Sequence, residues 1–207
     1  MILTAVINAI EIKENQHLRN NLVPWEPRHN QPSETRQLRS DLGIGPARLR
    51  FESDLFDLFH ERREPAEILE DLVDLIGRRY SLIAYIFYLF DDNRFLPIGT
   101  TTFDRAFDEL GIELRTAGRC SWENYQKFVE SVQLVRAGLK DWIGIKNVHL
   151  IDAHSYLWLL VRLPQKVEQM QQQGLQRPGD LKAAMITLAQ GVINRVDNAT
   201  GSQSSGL

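Results

Sequence analysis

The segment Leu82 to Phe90, Leu-Ile-Ala-Tyr-Ile-Phe-Tyr-Leu-Phe, limits what this chain can fold into more than any other. After Ser81 it has no charged side chain and no polar group beyond two tyrosine hydroxyls, so neither a helix nor a strand built from it can offer a solvated face. It must be surrounded by other elements. Being far shorter than the ~20 residues a membrane-spanning helix needs, it reads as a central buried helix, and the rest of the chain must supply amphipathic elements to cover it.

Those elements can be read on either side. Phe51, Leu55, Leu58 and Phe59 share one helical face, with Glu52, Asp57 and Glu61 facing out. Pro65 opens a second helix carrying Ile68, Leu69, Leu72, Leu75 and Ile76, and Gly77 lets it stop. Phe103, Ala106, Phe107 and Leu110 form a stripe ended by Gly111. Ser121, followed by Glu123 and Asn124, starts the clearest pattern, Tyr125, Phe128, Val129, Val132, Val135 and Leu139, which runs to Trp142.

Short β-prone stretches at Arg94 to Ile98 and Val148 to Ile151 predict strands. Residues 1–13 are β-branched enough for a strand or short helix. Glu14 to Gly45, punctuated by Pro24, Pro27 and Pro32 with Pro46 just beyond, predicts a loop or arm. Pro164 should end the helix that begins near Asp152. Leu181 to Val196 could form a last amphipathic helix before a disordered tail from Asn198. The expected fold is mainly α, an irregular helical domain with two or three short strands. It divides into an arginine- and proline-rich N-terminal strand and arm (1–50), a helical core domain (51–164) and a C-terminal helix and tail (165–207).

The formal net charge of −3 hides an uneven distribution. Arg19, Arg28, Arg36, Arg39, Arg48 and Arg50 face only Glu26, Glu34 and Asp41 in the same stretch; Glu52 to Asp74 then holds nine acids against Arg62 and Arg63. Arginine outnumbers lysine 18 to 6, which favours forked contacts to carboxylate or phosphate. Two readings stay open: the basic segment folds back on the acidic one, or it is an arm for nucleic acid. Under the second, Arg36, Arg39, Arg48 and Arg50 meet phosphate, with Arg78, Arg79 and Arg119 as a second patch.

Several chemistries are poorly served. One cysteine, Cys120, allows no internal disulfide and no cysteine-rich zinc site, and a reducing, cytoplasmic setting is expected. The apolar start has no basic flank and no small-residue cleavage site, so a secretory leader is not expected, nor is a membrane anchor. The five histidines lack zincin spacing. Gly43-Ile44-Gly45-Pro46 is too short for a phosphate-cradling loop. Cys120-Ser121 is a helix start without a neighbouring His or Asp to make a nucleophile. No metal site, cofactor or catalytic residue is assigned.

Leu150-Ile-Asp-Ala-His-Ser-Tyr-Leu-Trp158 resembles the first strand and helix of PIN-domain ribonucleases. That resemblance implies a metal-dependent nuclease centred on Asp152. Only Glu168, Asp180 and Asp197 follow as further acids, so the cage would need carboxylates from Asp54 to Asp108. The plainer reading has Asp152 or Ser155 capping a helix, His154 on its polar side and Trp158 in the core. Glu11-Ile12-Lys13 and Glu113-Leu114-Arg115 echo the carboxylate-lysine strand of restriction-type nucleases, without the acid that signature requires upstream of the first and with arginine in place of lysine in the second.

Tyr88-Leu-Phe-Asp-Asp-Asn-Arg-Phe-Leu-Pro-Ile98, the Phe103-Asp-x-x-Phe107 helix with Leu110-Gly111-Ile112, Cys120-Ser-Trp-Glu-Asn-Tyr125 and Leu150 to Trp158 together resemble helical regions found beside bacterial restriction-type nucleases or modification-dependent restriction GTPases. The resemblance spans residues 65 to 160. It implies a non-catalytic accessory or recognition module of a restriction or defence system, with nucleic acid and a catalytic partner protein as its partners. A structural assembly module, pairing through Leu181, Ala184, Met185, Leu188 and Val192, is the other alternative.

Overall fold

The computed structural model describes residues 2–12, 23, 33–143 and 147–172. Among these the chain forms eight helices: α1 Ile2–Glu11, α2 Glu34–Leu42, α3 Pro46–Phe59, α4 Pro65–Ile76, α5 Tyr80–Phe90, α6 Thr100–Glu109, α7 Trp122–Ile143 and α8 Leu150–Gln172. They fall into two compact units, Met1–Thr100 with Arg115–Glu130, and Thr101–Leu114 with Ser131–Leu207, and α7 contributes to both. No described helix is long and apolar enough to cross a membrane.

The first unit is built around α5, where eight of eleven residues are buried. Its Phe87 ring meets Phe95 edge-on with centroids 5.3 Å apart and lies 6.2 Å from Tyr125, while Phe95 stacks on Tyr125. Such pairs add to the area term of burial. Two buried polar contacts fix the start of α7 to this core. The Tyr80 hydroxyl donates to Asn124 Oδ1 at 3.0 Å, and Asn124 Nδ2 donates to the Arg115 carbonyl at 2.8 Å. As the sequence predicts, Ser121 caps α7, its hydroxyl accepting from the Asn124 N–H. Glu70 of α4 accepts the Trp122 N–H at 2.7 Å and completes the cap.

The mainly helical class holds, and the strands do not form. Arg94 to Ile98 is loop, with Phe95, Leu96 and Ile98 buried. A strand needs a neighbour for its backbone; here the Tyr125 hydroxyl fills that role, accepting the Leu96 N–H at 3.0 Å and donating to the Leu96 carbonyl at 2.8 Å. Val148 and His149 are loop leading into α8. At the N-terminus, where strand and short helix both stood open, the helix α1 forms, because Leu3, Val6, Ile7 and Ile10 recur at helical spacing and bury that face, tertiary packing overriding β-branched preference.

Part of the expected loop is also helical. Ser33 accepts the Arg36 N–H at its N-terminus, Thr35, Leu38 and Leu42 are buried on one side of α2, and the Gly43 N–H closes on the Arg39 carbonyl at φ +51°. Most of Glu14 to Pro32 lies outside the described residues, as do the expected helix at Leu181 to Val196 and the tail beyond it.

In the second unit α8 continues through Pro164 to Gln172 instead of ending there. The proline removes one N–H and crowds the Leu160 carbonyl, while Gln165 to Gln172 are mostly strong helix formers that carry the turn onward. His154, expected on the polar side, is buried against Phe103 with ring centroids 4.7 Å apart. Arg162 donates to the Thr102 hydroxyl at 3.2 Å, and Arg136 donates to the Val148 carbonyl at 2.8 Å.

Candidate nucleic-acid interface

The structure divides the seven arginines singled out from sequence into two groups. Arg48, Arg50 and Arg79 are tied to acids of the same unit. Arg48 pairs with Glu52 at 3.2 Å and Arg50 with Asp71 at 2.7 Å. Arg79, half-buried, pairs with Asp41 and Glu34 and pins α2 to the start of α5. Burial raises the Glu34 pKa despite the attraction of Arg79. Within the basic segment, Arg48 and Arg50 do fold back on the acidic one.

Arg36 and Arg39 form the other group with Arg78 and Arg119. They lie on the exposed side of α2, opposite Glu34 and Asp41, and neither side chain has an ion pair among the described residues. Their helix leads through Gly43-Ile44-Gly45 into α3. The N-cap there is Gly45, with no side-chain cap, and Pro46 takes the first turn. Pro46 has no N–H and the Arg48 N–H turns back to the Gly45 carbonyl at 3.1 Å, so this start offers the Ala47 N–H and the positive end of the helix dipole. Ile44 is 95% exposed at the tip of the turn and Leu49 is 70% exposed one turn into α3. From sequence, Gly43-Ile44-Gly45-Pro46 reads only as a loop too short to cradle phosphate. The signal was an isoleucine between two glycines, which has no element of its own to pack into.

Arg78 and Arg119 are exposed elsewhere on this unit, and Arg78 reaches the Gly118 carbonyl at 3.5 Å. They form a smaller patch beside the loop into α7.

An acid network lies along α3 and α4. Arg63 donates to Asp54 at 3.0 Å and to Asp71 at 2.6 Å. Asp54 is 4% exposed, and its second oxygen has no hydrogen-bond partner. Burial and then the nearby Asp71 charge raise the Asp54 pKa, while the Arg63 hydrogen bond lowers that of Asp71. These are structural ties between two helices.

Asp152 is exposed in the first turn of α8, where its carboxylate accepts the His149 N–H at 2.7 Å. It is a capping carboxylate three residues into the helix. Among the described residues no three His, Cys, Asp or Glu side chains gather as metal ligands. Cys120 is buried, and desolvation with the nearby Glu70 pushes its thiol up to about 12, contrary to the activation a helix start would give.

No protein-family model, no curated protein and no solved structure matches the chain.

Proposed function

We propose that the chain is a non-catalytic recognition module that binds nucleic acid through the corner formed by α2 and α3. The observation that carries this reading is that Arg36 and Arg39, with no ion pair among the described residues, lie on the helix that leads into the start of α3, which has no side-chain cap, while Arg48 and Arg50 of α3 are paired with acids. Two guanidinium groups and an outward-pointing helix N-terminus suit phosphate oxygens. A three-residue turn with glycine between two helices is also the connection used by helix-turn-helix modules. With two arginines at this corner, phosphate contacts supply modest affinity with a shallow salt dependence. A restriction-type setting with a separate catalytic partner belongs to the same proposal and rests on the resemblance over residues 65 to 160.

The test is binding to labelled double- and single-stranded DNA and RNA by fluorescence anisotropy between 50 and 200 mM salt. About two to three neutralised phosphates give a log–log salt slope of about −2 to −3 on duplex. Arg36→Ala with Arg39→Ala should bring that slope close to zero, whereas Arg50→Ala should leave it unchanged. A slope untouched by the double substitution, or no retention at 50 mM salt, overturns the reading.

A further inference from the structure

The phosphate reading uses the arginines of the α2–α3 corner and leaves Ile44 and Leu49 unexplained. Two large aliphatic side chains in open water, on the helix pair whose Arg36 and Arg39 have no ion pair among the described residues, ask for a partner surface that is apolar and acidic together. The chain carries such a surface at the other end of the same helix. α3 is 14 residues long, so its ends lie about 20 Å apart. At the far end Phe59 is 44% exposed. Beyond it Glu61 and Glu64 are exposed and take part in no ion pair among the described residues. The two arginines between them are already engaged, Arg62 over the Phe56 ring at 4.6 Å and Arg63 with Asp54, Asp71 and Glu67. Glu61 to Glu64 and Glu67 line an open depression of about 270 Å³.

We infer that the corner of one molecule docks on the turn between α3 and α4 of a second copy, Ile44 and Leu49 meeting Phe59 while Arg36 and Arg39 face Glu61 and Glu64. Corner against corner would set cation on cation, so the contact is head to tail. A head-to-tail contact leaves one free corner and one free turn on every pair, and association continues into an open chain or closes as a ring. The contact is small, so it belongs to the weak class of interfaces and weakens with salt.

The experiment is sedimentation of the whole chain from about 5 to 500 μM in 50 mM salt. The weight-average mass should rise beyond two chains and fall back toward one in 500 mM salt. Ile44→Ser with Leu49→Ser removes the corner's apolar part, and Glu61→Lys with Glu64→Lys reverses the turn. All four side chains are exposed, and helical circular dichroism verifies that both variants fold. Each variant alone should stay monomeric across the series, and an equimolar mixture should form a species of two chains and no larger, because only one complementary pair of surfaces remains. A wild-type chain that stays monomeric throughout, association that survives the turn reversal, or a mixture that does not pair overturns the inference. The serine variant keeps Arg36 and Arg39, so its nucleic-acid salt slope should equal that of the wild type, and failure of one reading is told from failure of the other.

Discussion

Glu61 occupies a backbone position that glycine usually takes. The end of α3 closes with the Arg62 N–H on the Asp57 carbonyl and the Glu61 N–H on the Leu58 carbonyl, which forces Glu61 to φ +51°. A Cβ in that region costs about 1 kcal/mol, so Glu61→Gly should raise the urea unfolding free energy by about 1 kcal/mol. Equal stability would mean the glutamate gains compensation elsewhere in the fold. Asp54 gives a pH signature. Its pKa is raised on folding, so the folded state holds the proton more tightly. Its contribution is complete below the unfolded carboxyl value and is lost as pH rises through the raised folded value. Asp54→Asn should therefore remove a decline in urea midpoint above about pH 4, and a decline of unchanged size would assign it to another group. Asp71 acts oppositely, with stability lost as pH falls below the ordinary carboxylate range.

At the scale of elements, the ion pairs of Arg63 hold α3 to α4. Removing that guanidinium leaves Asp54 buried with only the more distant Arg50, at 4.0 Å. Arg63→Ala should cost about 3 kcal/mol in the same urea assay, whereas Arg48→Ala, at a half-exposed pair, should cost under about 1 kcal/mol. These helices were legible because Phe51, Leu55 and Leu58, and Ile68, Leu69 and Leu72, keep the helical period and are buried as it demands. α2 was missed because its charged residues, Glu34, Arg36, Arg39 and Asp41, mask three buried positions in nine residues and follow a proline-rich stretch. The arginine cluster could be read as charge, but not which members pair: Arg50 finds Asp71 from 21 residues away and Arg79 finds Asp41 from 38. Sequence patterning carries no such long-range partner.

Across the whole molecule, α7 divides its length between the two units, passing from Glu130 to Ser131 without interruption. Glu130 is exposed, so its side chain matters little and its backbone much. Glu130→Pro should cost about 3 kcal/mol or more by thermal or urea unfolding, against a near-neutral Glu130→Ala, and a harmless proline would mean that the continuity of this helix is dispensable. The central place of α5 was legible because nothing on its surface could be left in water. The fate of Arg94 to Ile98 was not, since strand formation is decided by a neighbour and not by the segment itself. Tyr125→Phe, which strips two buried backbone groups of their partner, should cost about 2–4 kcal/mol.

The same tyrosine sets a clock. The Leu96 amide lies in no helix and no sheet, a kind of position that usually trades its proton with solvent through small local openings. Held by a side chain that is itself locked among Phe87, Phe95 and Phe128, it can meet water only when that aromatic cluster comes apart. Its deuterium uptake should therefore be as slow as that of the middle of α5 and follow the same denaturant dependence, which makes one loop amide a reporter for disassembly of the first unit's core.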